Sequence, residues 1–219
     1  MSEPIYIGIT GLARTGKNLF CDIATKILHD KYKLQASTYA LAYELKCDCD
    51  HFIYDKLNLN VFSEITEEKN VFRPLLVWYA GVKRKQTNGR YWLELLEKRI
   101  KRENTDVIFI SDLRYCEYAK DEVYWLKNEL KGKLVHVSKY TYGFPTDGRH
   151  IKVVNDKTKK IYTEPPNIDE SINDPKMKKY ADYCMEWEDV GGKNLINNEY
   201  LNEQVEKCLS SILPSDRKY

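Results

Sequence analysis

Two apolar rhythms alternate along the chain. Ile5-Tyr6-Ile7-Gly8-Ile9-Thr10 is a short β-branched run that stops at a glycine, the pattern of a buried strand. From Lys17 to about Asp30, Leu19, Phe20, Ile23, Ile27 and Leu28 recur at helical spacing. Gln35–Tyr39 reads as a second short strand, and Leu41 and Leu45 open a further helix. Pro74 suits a helix's first turn, with Leu75–Val82 continuing it. Trp92, Leu95, Leu96 and Ile100 form the next helical stripe, with Glu97, Lys98, Lys101 and Arg102 on its wet side.

Val107-Ile108-Phe109-Ile110 is a continuous apolar run ending at Ser111-Asp112, as in a central strand covered on both faces. Ala119, Val123, Leu126 and Leu130 mark a helix that Gly132 closes, and Leu134–Val137 is the following strand. Strand alternating with helix predicts an α/β fold with a mostly parallel sheet and helices on both faces. Residues 140–175 break the rhythm with four of the seven prolines, two glycines and a candidate hairpin, Ile151–Val154 with Lys160–Tyr162. A helix or turn near Lys176–Tyr183 follows, then a last strand at either Cys184–Trp187 or Asn194–Ile196. Leu201, Val205, Leu209 and Ile212 predict a final helix that Pro214 stops. The whole, 1–219, reads as one domain, with 140–173 as a lid or hairpin insertion.

Composition agrees with a globular chain: 42% hydrophobic and 31% charged over 219 residues. Lys and Arg number 35 against 33 Asp and Glu, which provides no global basic field for nucleic acid. No apolar run is long enough to span a membrane, and the first residues lack a signal-peptide pattern, so a cytoplasmic location is expected. The six cysteines are scattered and expected to be reduced thiols. Cys47-Asp48-Cys49-Asp50-His51 crowds potential ligands, but no second cluster completes a tetrahedral metal site.

The chemistry concentrates after the first strand. Gly11-Leu12-Ala13-Arg14-Thr15-Gly16-Lys17 fits G-x-x-x-x-G-K between a strand and an amphipathic helix. Such a loop turns backbone N–H groups onto phosphates, the lysine reaches the outer phosphate oxygens, and the helix adds its positive end. This predicts ATP as the ligand. Asn18 stands where a hydroxyl residue commonly meets Mg²⁺, and its amide oxygen can hold the ion directly or through water.

A second cluster is Ser111-Asp112-Leu113-Arg114-Tyr115, at the carboxyl end of a strand where ligands of open α/β sheets bind. Asp112 there can order the Mg²⁺ shell and Arg114 can fork onto a phosphate, although an aspartate cap beside a surface arginine would look the same locally. A third cluster runs from Arg73 through Lys83-Arg84-Lys85 to Arg90-Tyr91-Trp92. Arg73 is expected just before a helix start, Arg90 offers a phosphate donor, and Tyr91 and Trp92 offer surfaces for a base.

In this order, GLARTGKN at 11–18, ALAYELK at 40–46, the segment Arg73–Trp92, and SDLRY at 111–115 with Glu117 resemble the phage-type deoxynucleoside monophosphate kinases, in the adenylate-kinase-like branch of P-loop proteins. The resemblance implies that Lys17 and Arg14 handle donor phosphates. It implies that Lys46, Arg73, Arg90 and Arg114 hold an acceptor monophosphate with Trp92 near its base. The spacing after Arg73 and Lys139 in place of an arginine depart from that family. Two alternatives stand beside it: a phosphomevalonate-kinase-like enzyme, and a P-loop binding or scaffold protein without turnover. Base preference and subunit number, a homodimer included, stay open. The segment from Tyr140 to Asn173 is expected to close over the phosphates, with Arg149, His150 and Lys152 as its cations.

Overall fold

The computed structural model describes residues 3–142, 153–155, 160–192 and 194–214, with Val153–Asn155 as backbone only. Five parallel strands form the frame: β1 (Ile5–Thr10), β2 (Ala36–Ala40), β3 (Val107–Ser111), β4 (Lys133–Tyr142) and β7 (Tyr183–Glu188). Their order is β2-β3-β1-β4-β7, every neighbouring pair parallel. The chain therefore leaves β1 toward one edge and later returns to its other side at β4. That reversal opens a crevice at the carboxyl ends of β1, β3 and β4.

Alternation in the strands fills both faces. Val107 and Phe109 face one core with Ile7, Ile9, Val135, Val137, Met185 and Trp187, under α1 (Lys17–Ile27) and α7 (Glu199–Ile212). Ile108 and Ile110 face the other core, under α4 (Tyr91–Ile100), α5 (Glu122–Tyr124) and Met177 of α6 (Ile168–Tyr180). The expected α/β fold, a mostly parallel sheet covered on both faces, is present. A smaller core of Cys49, Ile53, Val61, Phe72 and Leu76 joins α2 (Ala42–Leu57) to α3 (Thr66–Thr87).

Several boundaries differ from the sequence reading. α3 begins at Thr66, eight residues before Pro74. Glu67 and Glu68 in its first turn suit the positive end of the helix. Pro74 sits inside on an exposed face, where its missing N–H costs one intrahelical bond. The helix expected over Ala119–Leu130 is three residues capped by Asp121, continued by a wider turn over Trp125–Glu129. Of the two candidate last strands, the first is correct: Met185 and Trp187 alternate inward, while Leu195–Asn197 is a single 3₁₀ turn.

The hairpin exists as β5 (Val153–Asn155) antiparallel to β6 (Lys160–Tyr162), with β6 laid against the far end of β4. Ile151, Arg149, His150 and Lys152 lie outside the described residues. The helix that follows is longer and earlier than expected, starting at Ile168 behind the cap Asn167, whose side chain accepts from the Glu170 N–H. Among the described residues, no helix is long and apolar enough to cross a membrane.

Candidate active site

The loop between β1 and α1 carries backbone conformations that constrain its sequence. Gly11 has φ +139, and a Cβ there would land on the Val137 carbonyl oxygen. Gly16 has φ +90, and a Cβ would come 2.5 Å from the Trp187 ring. Both positions need glycine for conformation and for space. Thr15 is buried, its hydroxyl donating to the Leu12 carbonyl at 2.9 Å. The Trp187 indole N–H donates to the Thr15 carbonyl at 2.8 Å, so β7 clamps the loop from outside. Ala13 is half-buried, while Arg14 (φ 66) and Asn18, at the start of α1, are exposed.

Lys17 is buried and curls back over the loop, donating to the carbonyls of Gly11 at 3.0 Å and Leu12 at 2.9 Å. Its Nζ lies 3.7 Å from Asp112. Burial pushes its pKa down, and Asp112 opposes that shift. Asp112 itself adopts φ 65 at the end of β3, directing the chain into the crevice. Arg114 stands 3.8 Å from Asp112 and 3.0 Å from Glu170.

This strand end is held by a buried network that sequence reading did not identify. Glu122, fully buried, accepts from the backbone N–H of Arg114 at 2.5 Å and of Tyr115 at 3.0 Å. Arg84 bridges Glu122 at 3.1 Å and Asp121 at 2.8 Å, with its guanidinium 3.8 Å from the centre of the Tyr115 ring. Burial raises the Glu122 pKa to about 7, against the opposing pull of Arg84 and the two N–H groups. The network fixes the backbone of the very turn that carries Arg114.

The crevice is lined by Thr10, Gly11, Val77, Arg114, Tyr115 and Glu170. Glu170 was also missed: its carboxylate accepts from the Ala13 N–H at 2.7 Å and from Arg114 at 3.0 Å. The sequence did hold one clue, because Asn167-x-x-Glu170 is a capping pattern that would have placed a helix start there.

The remaining expected residues divide. Lys46, on α2, is half-buried with its Nζ 5.6 Å from the centre of the Phe62 ring; burial and Lys69 lower its pKa, and Asp112 opposes them. Arg73 is not at a helix start but in the middle of α3. It lies exposed on one stripe with Lys69 and the crevice-lining Val77, and makes no ion pair among the described residues. Arg90 is corrected: its guanidinium is taken by Glu129, in two bonds of 3.0 and 2.9 Å, with Lys120 carbonyl as a third partner. Trp92 is corrected too. It is 5% exposed and packed edge-on to Tyr79 and Tyr91 within the core, which leaves almost no ring surface for stacking.

Cys47 is exposed and Cys49 buried on α2, while His51 lies 3.3 Å from Asp55. Asp48 accepts from the hydroxyls of Tyr79 and Tyr91. For Mg²⁺, the donor set fits in character: the ion keeps several waters and needs only one or two protein oxygens beside phosphates. Asp112 offers a carboxylate in the crevice and Asn18 an exposed amide on the first turn of α1.

Neither the scan against protein-family models nor the search of curated proteins yields a match. Among solved structures, the chain is similar to shikimate kinase from Bacteroides thetaiotaomicron, with 14% identity over 94% of this chain and 97% of that chain and a TM-score of 0.35.

Proposed function

We propose that the chain is a phosphotransferase that moves the γ-phosphoryl group of ATP to a deoxynucleoside monophosphate. The observation that carries this reading is the convergence of Lys17, Asp112 and Arg114 at one strand-end crevice, beneath a loop that requires glycine at both ends. The loop N–H groups and Lys17 would seat the donor phosphates, with Arg14 at their exposed side. Arg114 would grip the transferred group from the opposite side, and Lys46 and Arg73 would hold the acceptor phosphate. Asp112 and Asn18 would hold Mg²⁺, which neutralises charge on the phosphates when bound.

Arg73 and Lys46 support an anionic acceptor. Both lie on the wall formed by α2 and α3, and Arg73 has no carboxylate partner among the described residues. A monophosphate oxygen is already an anion and needs no general base, so positioned cations suffice for its attack. The segment 140–173 would act as a lid that excludes water during transfer. Coupled ADP production with a panel of monophosphates tests the reading. Turnover with deoxynucleotides supports it. Turnover with phosphomevalonate alone would favour the small-molecule alternative, and saturable ATP binding without turnover would favour a binding protein.

A further inference from the structure

Glu170 stands in the mouth of the phosphate loop. One carboxylate oxygen takes the Ala13 N–H at 2.7 Å, and the other takes Arg114 at 3.0 Å. The side chain is 11% exposed and its backbone is fixed by the Asn167 cap, so its position is well determined by its neighbours. Arg114 alone would satisfy the charge. The second bond instead uses a donor of the loop whose donors a phosphate requires.

We propose that Glu170 is an internal competitor for the phosphoryl seat, so that ATP enters only by driving the first turn of α6 out of the loop. This rests on the reading that the loop binds a triphosphate. The carboxylate bridges the two groups between which a transferred phosphoryl would lie: a loop N–H on the donor side and Arg114 on the far side. It is anionic, as a phosphoryl is, and offers two oxygens to the same donors. Two such anions cannot share these donors, because each would face the other's charge at close range in a partly buried crevice.

Expulsion of Glu170 also releases Arg114. Until ATP arrives, that arginine is committed to Glu170 and Asp112. Donor binding therefore frees the arginine to grip the transferred group. The contact keeps the Ala13 N–H and Arg114 satisfied between turnovers at no cost in buried unpaired charge.

The test is calorimetric titration of ATP and a non-hydrolysable analogue into the full chain and its Glu170→Ala and Glu170→Gln variants. Loss of two charge-assisted bonds that compete with the ligand should tighten ATP binding about tenfold in Glu170→Ala, and less in Glu170→Gln. Unchanged or weaker binding in Glu170→Ala, with the unaltered chain binding normally, overturns the proposal. Failure of every form to bind overturns the phosphate-loop reading itself, and this proposal with it. Hydrogen exchange on the unaltered chain gives a check that needs no variant. Saturating ATP without an acceptor, the state before the lid closes for transfer, should lower the protection of the amides at 168–173, and protection that is unchanged or raised would show that α6 stays in place.

Discussion

The wall of the crevice that carries the phosphate loop hangs from the centre of the sheet, whereas the opposite wall, α2 and α3, rests on a small core of its own. Behind the loop, Phe20, Ile23, Ala24, Val137 and Trp187 are all buried to within 1% of complete. On α3, by contrast, Val71, Val77 and Trp78 are more than half exposed, and the residues joining α3 to α2 are few. A wall tied to the central core holds its donors at set distances before any substrate arrives. A wall on a satellite core can adjust around its exposed stretch near Val71–Val77, while Arg84 and Tyr79 keep the far end of α3 tied to the sheet side. The loop side is thus preorganised and the α2–α3 side adjustable, a division that would suit the proposed closure around two substrates.

On that division, the largest effect comes from the fixed side. Lys17→Ala should lower turnover at least a hundredfold. Its melt should stay close to the unaltered chain's, because Lys17 spends its bonds on loop carbonyls. Retention of more than a small share of turnover would remove the loop from the mechanism. Gly16→Ala attacks the same wall through conformation. It places a Cβ 2.5 Å from the Trp187 ring at φ +90, so a loss of about 2–3 kcal/mol in denaturant unfolding is expected along with ATP binding. Unimpaired folding with normal ATP affinity would show the loop to be pliant.

Glu122 tests the joint between the two walls through pH. Its folded pKa, about 7, lies above the ordinary 4.5, so the folded chain keeps this proton over a range in which the unfolded chain has lost it. Its contribution to stability is complete below about pH 4.5 and is lost as pH rises through 7, on the order of 3 kcal/mol in all. The unaltered chain should therefore lose stability relative to Glu122→Gln between pH 5 and 7. A difference in melt that does not change with pH would mean that Glu122 stays ionised throughout.

The smallest effects separate Arg73 of the adjustable wall from Arg90 at the start of α4. Arg73→Met should raise the acceptor KM about tenfold and leave ATP affinity and the melt unchanged. Arg90→Met should do the reverse, lowering stability by no more than about 1 kcal/mol through its half-exposed pair with Glu129 while leaving kinetics alone. Similar kinetic behaviour from both would erase the distinction between them.

The fixed wall was also the more legible one. β1, α1 and β3 announce themselves because burial on both faces demands unbroken apolar runs, and G-x-x-x-x-G-K has a local backbone reason for each glycine. The adjustable wall and the adjoining helix α4 mislead because their signals are weak or ambiguous. Pro74 suggests a helix start, yet an exposed proline is tolerated well inside α3 once packing by Phe72 and Leu76 sustains the helix. Trp92 shares its helical stripe with Leu96 and Ile100, and that periodicity was better guidance than its nearness to arginines. Arg84 and Glu122 meet across 38 residues, and Glu170 reaches Ala13 across 157; no local pattern encodes such pairings. What was legible locally was the Asn167 cap, which marks where α6 begins but not what its first turn touches.

The Trp187 clamp on Thr15 spans 172 residues of chain. Contacts of such separation form late, after loop-closure entropy has been overcome by nearer pairings. The loop's own residues leave the ribosome well before the strand that holds them in shape, which is made 172 residues later. A growing chain that already contains Lys17 therefore lacks the clamp until β7 has docked beside β4. Nucleotide affinity should appear abruptly during refolding, in step with burial of Trp187 rather than with early helix formation, and a chain ended before β7 should not acquire it.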